Sequence, residues 1–180
     1  MAYGILNPDA IAALNIDAWN RHAVSASALE NGNIVVLATK SATAGESEVW
    51  TATEPATGAL TQLWMVFEPE VVLTASKYKG LDPDPRNFIV AAGDVFSVYK
   101  PAVGDVITVS ADVLLGSYSA GVTTHVNATD TTGGFFLYWG NSQTSSVLSY
   151  KLLGVNYMSI GSGAIDSQRV TSYQFECVGV

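Results

Sequence analysis

The side chains best equipped for catalysis or metal binding are two histidines, one cysteine and sixteen acids. His22 and His125 stand about a hundred positions apart, and neither has an HxH, HxxxH or HExxH partner. A Ser–His–Asp set needs only proximity in space, but no GxSxG elbow marks a nucleophile, so both histidines are read as surface or packing residues. Cys177 falls on the apolar side of an alternating run, which fits a small buried hydrophobe better than an activated thiolate. A single cysteine also rules out an internal disulfide or a multi-thiolate zinc site.

The acids are the next candidates. Asp82, Asp84, Asp94, Asp105 and Asp112 are expected near one edge, where hard cations take several oxygen ligands. They follow no EF-hand or repeat spacing, and Asp-Pro pairs are ordinary turn formers, so no metal is assigned. Glu46, Glu48 and Glu54 do not define a glycosidase pair, whose carboxylate separation is a property of the fold. No Gly-rich loop followed by lysine cradles a phosphate, and no cofactor is assigned. Asn127-Ala128-Thr129 is a formal glycosylation sequon that nothing else in the chain supports. Aromatics are the sharper signal: Trp64 and Trp139 lie inside apolar runs and read as core, whereas Trp19 and Trp50 border polar segments and read as surface contacts.

The elements that must position these residues are strands. The 180 residues are 48% apolar and only 13% charged, with a net charge of −8. That composition excludes disorder, and scattered, outnumbered basic residues argue against nucleic acid. No apolar run reaches the roughly 18 residues of a membrane span, and the first residues lack a basic n-region and an apolar h-region. The uncharged polar surface must come from Ser, Thr, Asn and Gly. From Ile34 onward short β-branched runs alternate with turns: 34–38, 49–53, 63–67, 71–74, 88–90, 94–99, 106–113, 135–139, 147–153, 155–160 and 172–178. In 106–113, Ile107, Val109, Ala111 and Val113 share one face, and Val106, Thr108, Ser110 and Asp112 share a wetter one. In the terminal run Tyr173, Phe175 and Cys177 point one way, Gln174 and Glu176 the other.

Many short strands at close spacing predict an all-β, mainly antiparallel fold, a small β-barrel or β-sandwich, over residues 29–180 as one domain. Residues 1–28 lack sustained periodicity and are expected to form an arm or surface segment, part helical and part extended, that packs on the barrel or reaches a neighbour. In that arm Asn7 would cap a short helix with Pro8 at its first position.

Four blocks carry a family resemblance: GESEVW (Gly45 to Trp50), LWMVFEPEVV (Leu63 to Val72), AAGDVFSVYKPAVGDVITVSAD (Ala91 to Asp112) and SQRVTSYQFE (Ser167 to Glu176). They resemble the auxiliary capsid proteins of tailed bacteriophages, which decorate and stabilise heads, over about two thirds of the chain. The resemblance rests on hydrophobic blocks and a Pro-x-x-Gly-Asp turn. It implies a non-enzymatic virion protein, made in the bacterial host cytoplasm, that binds the major capsid protein on the outer surface of the shell. Both a homotrimer at a local three-fold site and a monomer at a hexamer centre fit that role. Trp19, Arg21 and His22 in the arm, Trp50, and the 77–86 stretch from Lys77 to Arg86 would make the contacts. The alternative reading is a carbohydrate-binding barrel or sandwich module of a phage fibre or surface protein, using an exposed tryptophan.

Overall fold

β-Branched runs separated by Asn, Gly and Pro become strands wherever each finds a neighbour for its backbone. The computed structural model describes residues 3–42, 48–55, 62–69, 84–114, 123–127, 138–140, 148–160 and 168–180. In chain order the strands are β1 (Leu6–Ala10), β2 (Asn20–Val24), β3 (Ile34–Lys40), β4 (Val49–Thr53), β5 (Leu63–Val66) and β6 (Val95–Tyr99). They continue with β7 (Val106–Ser110), β8 (Thr123–Asn127), β9 (Tyr138–Gly140), β10 (Ser149–Ile160) and β11 (Gln168–Gly179). The helical segments among the described residues are 3₁₀ turns at Ala12–Asn15, Asp17–Trp19, Pro85–Asn87 and Ala111–Val113.

Five strands close a barrel in the order β2-β4-β3-β5-β6, with β6 returning to β2. β2 runs parallel to β4, and the other barrel pairs are antiparallel. The other six form an antiparallel sheet in the order β1-β7-β11-β10-β8-β9. The fold is therefore all-β with a closed barrel, as expected, and carries a second sheet beside it.

Two apolar layers hold these parts. Ala23, Val35, Ala52, Trp64, Val66, Phe96 and Val98 fill the barrel. Between barrel and sheet, Ile34, Leu63, Met65 and Tyr99 meet Leu6, Ile107, Val109, Tyr150, Leu152, Phe175 and Cys177. β5 serves both layers, Trp64 and Val66 turning inward and Leu63 and Met65 outward. All four of its residues are therefore buried, which is why it reads as an unbroken apolar run. Its end is matched by the Asn31-Gly32-Asn33 turn, where Gly32 takes φ 88°. Asn31 there donates to the Glu68 carbonyl at 2.9 Å and accepts from the Glu68 N–H at 2.9 Å, an amide standing in for a strand residue.

Several expectations need correction. Leu6–Ala10 is a strand, not a helix start; it lies at the sheet edge and pairs with β7. Pro8 is tolerated there because an edge strand can spare a donor, and the pairing shifts register just after it. Residues 3–28 are part 3₁₀ turn and part extended, as expected, and they are built into the fold: β1 belongs to the sheet and β2 closes the barrel. Each is only five residues long and pairs with strands far along the chain, so local periodicity could not reveal them. The 106–113 run stops being a strand at Ser110 and finishes as a 3₁₀ turn. Its supposedly wet face is covered: Thr108 and Ser110 are buried, with the Ser110 Oγ accepting from the Ile5 N–H at 3.1 Å. Residues 88–90 contribute only a bridge from Val90 to Leu29. Residues 149–160 form one strand, kinked where the pairing shifts between Leu152 and Gly154. The 71–74 run lies outside the described residues.

Candidate functional site

One mouth of the barrel brings together three of the residues singled out by sequence. β2 alternates, so Arg21 shares the side of the fully buried Ala23 while Asn20 and His22 face out. Register places Ala23 opposite Trp50 and Arg21 opposite Val98. The start of β2 is pinned by Asn20, whose side-chain amide donates to the carbonyls of Ala13 and Ile16, and by the Lys100 N–H donating to the Trp19 carbonyl at 2.8 Å. The Arg21 guanidinium carbon then lies 4.4 Å from the Trp50 ring centroid and 5.1 Å from that of Trp64. Cation–π contacts of this kind fix the plane of the guanidinium without using its N–H groups. Among the described residues, its recorded contacts are these two rings, with no hydrogen bond or ion pair.

Beside it opens a hollow of about 350 Å³ lined by Asn20, Arg21, His22, Lys40, Glu48 and Trp50. Lys40 pairs with Glu48 at 3.4 Å, both side chains well exposed, and its ammonium lies 6.0 Å from the Trp50 ring. So exposed a pair contributes little stability. Trp19 precedes the hollow in the chain but packs, half-buried, against the layer between barrel and sheet. It is therefore partly core. Trp64 is buried as expected, while the Trp139 side chain and Lys77 lie outside the described residues.

Arg86 is spoken for. Its guanidinium bonds both carboxylate oxygens of Asp84, the shortest at 2.8 Å, and donates to Gln168 at 2.7 Å. The side-chain hydrogen bond from Arg86 is the main cause that holds the Asp84 carboxyl below its ordinary range. This cluster pins the 85–87 turn to β11. The acids do not converge: among the described residues no group of three or more His, Cys, Asp or Glu is placed to hold a metal. Asp105 is buried and capped by backbone donors, Asp94 and Asp112 are exposed, and Asp82 lies outside the described residues. Cys177 is buried, and burial pushes its thiol up to about 12, well away from nucleophilic use.

A second surface escaped sequence reading. β10 pairs with β8 only over Ser149–Lys151, and β11 with β7 only over Ser172–Glu176. Beyond those limits the described strands Asn156–Ile160 and Gln168–Thr171 pair only with each other. The inner face of this hairpin carries Ile160, Met158 and Gln168 and leans on the body through the Gln168–Arg86 bond. Its outer face shows Val155, 48% exposed, and Tyr157, 57% exposed, with the bulged Leu153 44% exposed nearby. The Arg169 guanidinium lies 3.8 Å from the Tyr157 ring centroid. The sequence shows the strand there but not which side the body covers. No family model, curated protein or solved structure matches the chain, so the hollow and the hairpin face rest on geometry alone.

Proposed function

We propose that the protein is a structural component of a tailed-bacteriophage virion that binds the outer capsid lattice and stabilises it. The observation that carries this reading is the outer face of the β10–β11 hairpin, where Val155, Tyr157 and Leu153 stand exposed. An apolar ridge flanked by one arginine is an association surface in waiting, and Tyr and Arg are the residue types that anchor protein interfaces. Leu14 and Val103 add a further exposed apolar spot beside the turn that leads into β7. The closed barrel supplies the rigid body such a protein needs, since closure leaves that unit no free strand edge. Stabilisation follows by linkage: a ligand that favours the assembled lattice over free subunits shifts the equilibrium toward the shell.

The test is co-sedimentation of the purified chain with expanded capsids of the phage that encodes it. Binding at a fixed number of copies per capsomer is expected. The double variant Val155→Ser, Tyr157→Ser should bind at least about tenfold more weakly with an unchanged melting profile. A folded wild-type chain that ignores capsids overturns the proposal. A saturable quench of tryptophan fluorescence by a saccharide would instead favour the carbohydrate-binding reading.

A further inference from the structure

The hollow at the barrel mouth holds an arginine oriented for a ligand. We infer that Arg21, held over the Trp50 and Trp64 rings, is a receptor for a single Glu or Asp carboxylate carried by a segment of another protein. The inference stands apart from the virion reading, because it rests on the hollow and not on the hairpin.

Three features converge. The two indole rings fix the guanidinium at 4.4 and 5.1 Å, so the entropy of orienting its N–H fork is already lost before a ligand arrives. Lys40 lines the same hollow, its ammonium 6.0 Å from the Trp50 ring that Arg21 also meets, which adds a second cation there in a chain whose net charge is −8. Among the described residues the hollow's carboxylate, Glu48, does not bond the fork; it bonds Lys40 at 3.4 Å. A planar guanidinium matches a carboxylate through two parallel N–H···O bonds, and partial shielding by the indoles strengthens them.

Charge balance selects the ligand. Glu48 at the rim opposes a dianion more than a single carboxylate, which disfavours a phosphate group. The acidity of the whole chain disfavours any densely anionic partner further, a polyphosphate and an acid-rich segment alike. A Glu or Asp side chain on a partner, bringing one charge on a flexible stem, fits both limits.

The test is a titration of the full-length chain with a blocked peptide containing one glutamate, against the same peptide with glutamine, followed by tryptophan fluorescence at low salt. Saturable binding of the acidic peptide alone is expected. Arg21→Lys, which keeps the charge but loses the planar fork, should weaken it by about tenfold. Glu48→Gln, an exposed substitution that leaves the barrel interior untouched, should tighten binding and so reports on the hollow even if the Arg21 variant folds poorly. Equal responses to the two peptides would overturn the inference, as would a Glu48→Gln variant that binds no better than wild type. Inorganic phosphate displacing the peptide more strongly than acetate, at equal ionic strength, would overturn the assignment to a carboxylate.

Discussion

Asp105 closes the Pro101–Asp105 turn, yet its carboxylate works far from that turn in sequence. One oxygen accepts the Ala12 N–H at 2.8 Å and the other the Ala102 N–H at 2.8 Å, while the residue is only 2% exposed. The Ala12–Asn15 turn has no side-chain cap of its own from Ile11, so a carboxylate 93 positions away in sequence satisfies its first donor. Replacing Asp105 by Ala removes two charge-assisted bonds, each contributing about 1.5–3 kcal/mol. Ala12 and Ala102 are both half-exposed, so water can recover part of that loss. A destabilisation near the lower bound, about 3 kcal/mol, is expected, equivalent to about 6–12 °C in Tm for a chain of this size. Asp105→Asn keeps one acceptor oxygen and turns an amide toward the other N–H, so it should fall between wild type and Ala. Urea melts with a shifted midpoint and an unchanged slope are the assay. Asp94→Ala, at an exposed turn, is the control and should stay within about 0.5 kcal/mol. A loss below about 1 kcal/mol for Asp105→Ala, or an Asn variant as damaging as Ala, would refute the acceptor-counting argument.

Two further predictions concern protonation. Cys177 should resist thiol reagents at pH 8 in the native chain and react fully once it is unfolded. Its folded pKa of about 12 lies above the ordinary 9, so the native state holds the proton longer. This contribution to stability is complete below pH 9 and is lost as pH rises toward 12, a fall that Cys177→Ala should lessen in alkaline melts, the remainder coming from buried groups such as Tyr99 and Tyr150. Glu30 is likewise raised above 4.5, by burial first, with the Gly4 N–H hydrogen bond opposing and the nearby Asp112 charge adding to the shift. Ionised at neutral pH, it costs stability that returns as pH falls below its folded pKa. Glu30→Gln, which keeps an oxygen for the Gly4 N–H, should therefore be more stable than wild type at pH 7 and equal to it near pH 3 in urea melts.

The residues that were legible in the sequence share one property: their neighbours along the chain decide their environment. β5 is an unbroken apolar run because both of its faces are buried, and β11 alternates because Phe175 and Cys177 face the core. Trp64 could be placed inside on the same grounds. β1 and β2 were missed because Leu6–Ala10 and Asn20–Val24 carry too few apolar residues for a period to stand out. What makes them strands is the backbone of β7 and of β6, at sequence distances that no local window spans. The hollow was half legible. Arg21, His22 and Trp50 were picked out as residue types suited to contacts, but their meeting, and the part played by Lys40 and Glu48, follow from the closure of the barrel.

By itself, then, the sequence determined the class of structure. A low charge fraction, β-branched runs of strand length and Gly, Asn and Pro turns admit only short strands around an apolar core. The tertiary structure decided which strands share a sheet, that β2 lies parallel to β4, and that Thr108 and Ser110 sit inside. It also decided that Arg21 reaches two indole rings. The physical reason is that strand propensity belongs to a segment, whereas pairing partner and register belong to the whole chain. A backbone donor is satisfied equally well by any neighbouring strand, and only the simultaneous burial of both apolar layers selects among them.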